Sequence, residues 1–199
     1  MGSRRVSRKR LYEVEKAGQA IDLEAGAGIK QNIISASQHR QGQEIITEIA
    51  IDLAASANPL KCGGDNEDII GHTSLPSFIT QLTVAKYGII TEVRVVVTEI
   101  IENGAGDIAG DGIDVVGRAA ATGIADGAKN TANGGGAAAG SMAHSVRVLG
   151  SDTSFGLDAN ELSGKYLYIA SAESMTASSP MATGKIIIYL HGFVAPADL

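Results

Sequence analysis

Apolar and polar residues alternate most clearly in residues 44–53. One set of alternate positions consists of Glu44, Ile46, Glu48, Ala50 and Asp52 and carries all the carboxylates of the segment. The other set is apolar apart from one threonine and consists of Ile45, Thr47, Ile49, Ile51 and Leu53. Because successive side chains of a strand point to opposite faces of its sheet, this pattern predicts an antiparallel strand with one buried face.

Other runs rich in β-branched residues predict further strands. The longest cover residues 88–101, 165–172 and 185–194, and shorter ones cover residues 113–116 and 145–149. About seven or eight strands joined by long loops favour an all-β fold, an antiparallel β-sandwich of the jelly-roll type.

The segments between these strands differ in composition. Residues 77–85 form one more apolar run, and the short interruption before residue 88 predicts a hairpin with the strand that follows. Residues 54–76 and 177–184 are interpreted as loops, and the Ala- and Gly-rich residues 117–140 as an irregular excursion.

Length and composition bound the domain organisation. The 199 residues include 25 Gly, no Trp and one cysteine, so one chain has no internal disulfide framework. We expect residues 1–28 to form an extended basic arm whose composition is compatible with a short helix. Residues 29–199 are expected to form the sandwich body.

Charge is distributed unevenly along the chain. The formal net charge is −6, but without the basic block at the start 11 Lys and Arg remain against 22 Asp and Glu, or −11. Such a block either reaches nucleic acid or docks on an acidic neighbour, including another copy of the same body. The predicted partner-binding residues are this block and the apolar residues after it: Arg4, Arg5, Arg8, Lys9, Arg10, Leu11, Tyr12 and Val14.

The sequence has no apolar run of membrane-spanning length and no signal-peptide core behind its first residues. We therefore expect a protein that is made in a cytosol-like compartment and has no membrane partner.

Candidate catalytic chemistry is sparse. Cys62 and His72 lie in one loop, but the sequence supplies no third group to orient a thiol–imidazole pair, so an ordinary loop cysteine is the favoured interpretation. We expect no catalytic residue, and replacing either side chain should leave assembly nearly unchanged. The histidines stand singly without metal-ligand spacing, and no cofactor is expected.

Two further groups of residues have some features of binding sites. Asp107, Asp111 and Asp114 lie in a glycine-rich segment that suits calcium, yet the motif occurs once, which favours a plain acidic turn. The strand aromatics could stack nucleic-acid bases, but core packing is the favoured role of Tyr166, Tyr168, Tyr189 and Phe193.

The strand pattern resembles structural proteins of tailed phages from marine bacteria. The resemblance lies within residues 77–194 and is carried by residues 77–90, 112–116, 165–168 and 183–193. The family's closing turn has a different residue order from the Ala-Thr-Gly-Lys of residues 182–185. The resemblance implies a virion protein, a head decoration or cement protein, with no catalytic residues.

The leading hypothesis is therefore a non-enzymatic virion protein that is assembled in the host cytoplasm. Its expected partners are copies of itself, with a trimer favoured, and the major capsid protein or another virion protein. One alternative is an assembly protein whose arm contacts packaged nucleic acid. Another is a tail-associated carbohydrate-binding β-sandwich, although the paired carboxylates and aromatic platforms of such a site are not evident.

Overall fold

The alternating segments form β-strands in the computed structural model of the chain, which describes residues 18–62, 68–72, 74–104, 113–123, 141–146, 152–156, 163–171 and 179–194. The strands are β1 (Gln19–Ala20), β2 (Ile33–Gln41), β3 (Glu44–Asp52), β4 (Lys61–Cys62), β5 (Thr80–Gln81), β6 (Ile89–Asn103), β7 (Ile113–Arg118), β8 (Ser141–Val146), β9 (Asp152–Gly156), β10 (Tyr166–Ser171) and β11 (Ser179–Phe193).

Helical structure within the described residues is limited to a 3-10 turn at Lys30–Asn32 and one short helix, α1, at Val84–Tyr87. The helix ends at Gly88, whose φ of +69° lies in the region that favours glycine. A Cβ atom at Gly88 would also lie 2.3 Å from the carbonyl oxygen of Phe193. Glycine therefore lets the chain turn into β6 while touching the end of β11.

The strands form two antiparallel sheets. The large sheet has the order β1-β2-β3-β11-β6-β9, with β4 paired to the start of β11, and the small sheet has the order β5-β10-β7-β8. The 15-residue strand β11 lies at the centre of the large sheet, between β3 and β6.

Four of the strand pairs are nested along the chain. The innermost pair is β7 with β8, and around it lie β6 with β9, β5 with β10, and β3 with β11. Successive pairs alternate between the two sheets. The chain is thus folded as one long antiparallel ladder that is rolled into two layers.

One hydrophobic core joins the inner faces of the two sheets. Alternate residues of the large sheet contribute Ile49, Ile51, Val93, Val95, Ile186 and Ile188, and the small sheet contributes Ile113, Val115, Leu167 and Ile169. The apolar positions expected from the first pattern, Ile45, Thr47, Ile49, Ile51 and Leu53, are all buried. The two sheets therefore bury their apolar faces against each other, as the alternation requires.

Tyr87 closes this core at the end of α1. Its side chain is buried, and its hydroxyl lies 2.7 Å from the hydroxyl of Thr80. Burial raises the pKa of Tyr87 to about 12, because the phenolate would lose its hydration, while the Thr80 hydrogen bond acts in the opposite direction.

The prediction of an all-β fold is confirmed, and the four principal predicted strands correspond to β3, β6, β10 and β11. The predicted hairpin between residues 77–85 and 88–101 is wrong. β5 pairs with β10 in the small sheet, whereas β6 pairs with β11 in the large one, and α1 separates them. A local gap in the apolar pattern cannot distinguish a hairpin from a crossing between layers.

Three predicted boundaries also differ from the structure. Residues 179–184, interpreted as loop, belong to β11, and β8 begins at Ser141 instead of residue 145, while residues 147–149 of that predicted strand lie outside the described part of the chain. Residues 117–118 of the Ala- and Gly-rich segment belong to β7, whereas residues 124–140 lie outside the described part of the chain.

The body extends further toward the N-terminus than residue 29. β1 pairs with the edge of β2, and Leu23 is buried in the core. The backbone NH of Gly26 donates to the Phe78 carbonyl at 2.9 Å, and Gly28 donates to Pro76 at 2.8 Å. Residues 18–28 therefore pack on the body, and residues 1–17 of the expected arm lie outside the described residues.

Candidate interaction surface

The side of the large sheet that points away from the core carries three cross-strand rows of side chains. Each row crosses β2, β3, β11 and β6 in the observed register. We call this surface the outer face, and its rows are His39, Ile46, His191 and Glu92; Ser37, Glu48, Tyr189 and Arg94; and Ser35, Ala50, Ile187 and Val96.

The outer face arises from the same alternation that builds the core. Along β3 and β11, buried and partly exposed residues follow each other strictly through the central positions. Ile188 is fully buried, whereas Ile187 beside it is partly exposed. The sheet consequently keeps an apolar centre of Ile46, Ala50, Ile187 and Val96 on its outward side.

Polar contacts tie β11 to its neighbours around this apolar centre. The ammonium Nζ of Lys185 lies 2.5 Å from Oε2 of Glu99, and this hydrogen bond raises the pKa of Lys185. At the other end Nδ1 of His191 lies 3.3 Å from Oε1 of Glu44. These pairs flank the outer face at its two ends.

Tyr189 and Arg94 form a cation–π pair in the middle row. The guanidinium carbon of Arg94 lies 5.7 Å from the centre of the Tyr189 ring, within the range of a cation–π contact. Tyr and Arg are enriched at the centres of protein interfaces, where they combine apolar area with polar ends. The middle row thus has a composition typical of a binding surface.

The outer face is acidic. With the rows at its two ends it carries five carboxylates against two permanent cations, Arg94 and Lys185. The carboxylates are Glu44, Glu48, Asp52, Glu92 and Glu99. Among the described residues, Glu48 and Glu92 form no ion pair. A basic ligand would therefore be attracted to this surface, and nucleic acid would be repelled.

A second cluster lies on the outward side of the small sheet. The rings of Phe78 and Tyr166 meet edge to face with centres 5.0 Å apart, and Tyr168 lies beneath them at 6.4 Å from Phe78. The hydroxyl of Tyr168 donates to the Ala120 carbonyl at 2.7 Å, and its burial raises the pKa of this phenol. These contacts fix the rings to the body.

An open groove of about 300 Å³ separates residues 20–25 from the beginning of β2. Its walls are mainly apolar and include Ile21, Leu23 and Ile33, while Asp22 and Lys30 stand at its border. The groove lies beside β1, where the chain enters the body.

No family model, curated protein or solved structure matches this chain. The surfaces must therefore be interpreted from their own chemistry. Within the described ranges, no group of three or more His, Cys, Asp or Glu side chains is arranged to hold a metal ion. No helix in the same ranges is both long and apolar enough to cross a membrane.

The predicted partner-binding residues lie outside the described part of the chain, which begins at residue 18. They are Arg4, Arg5, Arg8, Lys9, Arg10, Leu11, Tyr12 and Val14. Of the three aspartates of the acidic glycine-rich segment, Asp107 and Asp111 also lie outside it. Asp114 is 8% exposed on β7, opposite Ala170 of β10.

Cys62 and His72 lie on two backbone segments that a β-bridge brings together. Lys61 bridges Gly71 in antiparallel register, which places Cys62 opposite Ile70 and His72 one step further along. The backbone NH of His72 donates to the Gly28 carbonyl at 2.9 Å, and its buried Nδ1 has no hydrogen-bond partner within the described residues. The backbone of His72 thus helps to fasten residue 28 to the loop.

The expected core role of the aromatics is correct for Tyr168, which is fully buried. It is wrong for Tyr189, which lies on the outer face, and for Phe193, which is 44% exposed at the end of β11. A signal was present in the sequence, because both residues share their parity with Lys185 and His191 and not with the buried Ile188.

Proposed function

We propose that this protein is a non-enzymatic structural component of a virus particle, a capsid decoration or cement protein. In this proposal it forms homo-oligomers, with a trimer favoured, and binds the capsid shell through the major capsid protein or another virion protein. Its site of action is the virion, after assembly in the host cytoplasm.

The nested strand order supports the fold assignment within this proposal. We infer that the eight strands β3 and β5 to β11 form a jelly roll, with β1, β2 and β4 as additions at its edges. A jelly roll contains eight strands in two sheets, and its strands are connected as two Greek keys. The orders β3-β11-β6-β9 and β5-β10-β7-β8 support this assignment, because each strand in the first half of the ladder pairs with its counterpart in the second half.

Jelly rolls occur in viral capsid proteins, lectins and cupins, so the fold alone does not select a function. The capsid assignment is supported by the sequence resemblance in residues 77–194. It is also supported by the acidic outer face together with the basic sequence of residues 4–10, since opposite charges on one chain favour association between copies.

The basic block also supports a second candidate, an assembly protein that contacts packaged nucleic acid through its arm. Five contacts would make duplex affinity fall with salt with a log–log slope of about 4.5. Glu13 and Glu15 argue against this candidate, because they lie shortly after the block and their carboxylates would be repelled by phosphates. Measuring duplex binding by the full chain over a salt series distinguishes the two candidates.

The direct test is the protein content of purified particles. Particles from a culture that expresses the gene are purified on a density gradient, and the chain is quantified by mass spectrometry and located by electron cryo-microscopy. The proposal expects the chain at regular positions on the shell and at a fixed ratio to the major capsid protein. Absence from intact particles would refute it.

A further inference from the structure

The outer face lacks a cover within the described residues, although its centre is apolar. Ile46, Ala50, Ile187 and Val96 are partly exposed there in adjacent strands. Contiguous apolar surface bordered by polar residues marks an interaction site on a protein. The charge of the outer face, its area and the path of the chain before β1 together indicate which segment binds there.

Charge repulsion disfavours a symmetric dimer in which two outer faces pair with each other. Each face with its end rows has three more carboxylates than permanent cations, so two of them would repel each other. Four strands and five rows cover about 20 Å by about 30 Å, or about 600 Å², less than the roughly 800 Å² per partner of a standard interface. A short extended segment suits this area better than a second globular body.

The chain contains a segment with the complementary chemistry. Residues 4–10 carry five positive charges, and Leu11, Tyr12 and Val14 follow them. The cations match Glu48 and Glu92, and the apolar residues match the centre of the outer face.

The register of β1 carries the chain toward the end of the large sheet, where a second copy can supply that segment. Gln19 lies opposite Gln38, three residues before β2 ends at Gln41. Three more residues in this register would therefore reach the end of the sheet, with residues 4–14 still to come. The eleven residues 4–14 reach roughly 36 Å when extended, enough to cross the outer face of an adjacent body.

We infer that the outer face of one copy binds residues 4–14 of a second copy. Glu48 and Glu92 receive the basic side chains, and the apolar centre receives the residues that follow them. This inference deepens the proposed function by naming the surface through which copies associate. The contact is head to tail, so it closes into a ring when the rotation between copies allows.

The test reverses charges on either side of the contact in the full-length chain. The face variant carries Glu48→Lys and Glu92→Lys, and the arm variant carries Arg8→Glu and Arg10→Glu. Sedimentation equilibrium at low salt should show association of the unchanged chain, and each variant alone should associate at least about tenfold more weakly.

The matched control is Glu102→Lys, an exposed acid on the same strand as Glu92 but ten residues, or about 33 Å, further along. Its association constant should stay within about twofold of the unchanged chain. Circular dichroism and urea unfolding of all variants establish that the body remains folded. An equal loss of association in the control would overturn the inference, because it would show a nonspecific charge effect.

Mixing the two variants distinguishes a second copy from the chain's own arm. The arm variant keeps a native outer face and the face variant keeps a native arm, so the mixture should form a one-to-one complex. A mixture that stays monomeric, or an unchanged chain that never associates, would overturn the inference. A chain present on particles but monomeric in solution would defeat this inference and leave the role in the particle standing, whereas absence from particles would defeat the role in the particle and leave the contact between copies standing.

Discussion

The two faces of β11 should respond differently to the same truncation. Ile188 is fully buried between the sheets, and Ile187 is its partly exposed neighbour on the outer face. Ile188→Ala removes three carbon groups at about 0.8 kcal/mol each, or about 2.4 kcal/mol of transfer free energy. A residual cavity between two sheets that cannot collapse onto each other raises the expected loss to about 3–5 kcal/mol.

Ile187→Ala is the matched control, because it removes the same atoms from the same strand. Its cost is the lower strand propensity of alanine and a small loss of packing, about 1 kcal/mol. Urea unfolding of the isolated chain measures both variants, and the midpoints should separate while the slopes stay equal. Equal losses of stability for the two variants would refute the assignment of inner and outer faces.

Two further substitutions test the corner between α1 and β6. Tyr87→Phe should cost about 1 kcal/mol at neutral pH through the lost hydrogen bond to Thr80. The pKa of Tyr87 is raised to about 12 in the folded state, so the stability that its neutral phenol contributes is fully present below pH 10. Up to about 3 kcal/mol of the free energy of unfolding is lost as the pH rises from 10 to 12. The unfolding free energy of the phenylalanine variant should therefore fall less over that interval, and an unchanged slope would contradict the burial of this hydroxyl. Gly88→Ala should destabilise by more than Gly42→Ala in thermal unfolding, since both have positive φ but only the Cβ at Gly88 meets the Phe193 carbonyl. Equal effects would show that the close approach is absent.

Local pattern was enough to predict the strands that matter for the core. β3 could be predicted to the residue at its start because one set of its alternate positions is apolar apart from Thr47, while the other set carries Glu44, Glu48 and Asp52. β6 was located to within two residues at each end, and Val93, Val95 and Val97 share its buried face, but a bulge opposite His191 and Gly192 shifts the parity near its start. Ile90 consequently shares the inner face with Val93, although strict alternation places these two residues on opposite faces.

The arrangement of the strands could not be predicted in the same way. β3 and β11 are separated by more than a hundred residues, and nothing in either strand identifies the other as its partner. The outer face depends on this pairing, because its rows exist only where β3, β11 and β6 lie side by side. The sequence therefore predicted the acidic character of the body but not the surface on which the acids collect.

Inward and outward side chains alternate strictly in β11, so substitutions there can change the stability of the fold and the strength of association independently. Substitutions at Ile186, Ile188 and Leu190 alter the core that both sheets share. Substitutions at Ile187 and Tyr189 alter only the outward side, where the loss of a partly exposed side chain costs the isolated chain little. A surface built on the central strand of the sheet is held rigid by hydrogen bonds on both sides, which lowers the entropy lost when a flexible segment binds to it. Most of the conformational entropy lost on binding is then lost by the arm. The strength of association therefore depends on how well the few charged and apolar residues of the arm match the rows of the outer face.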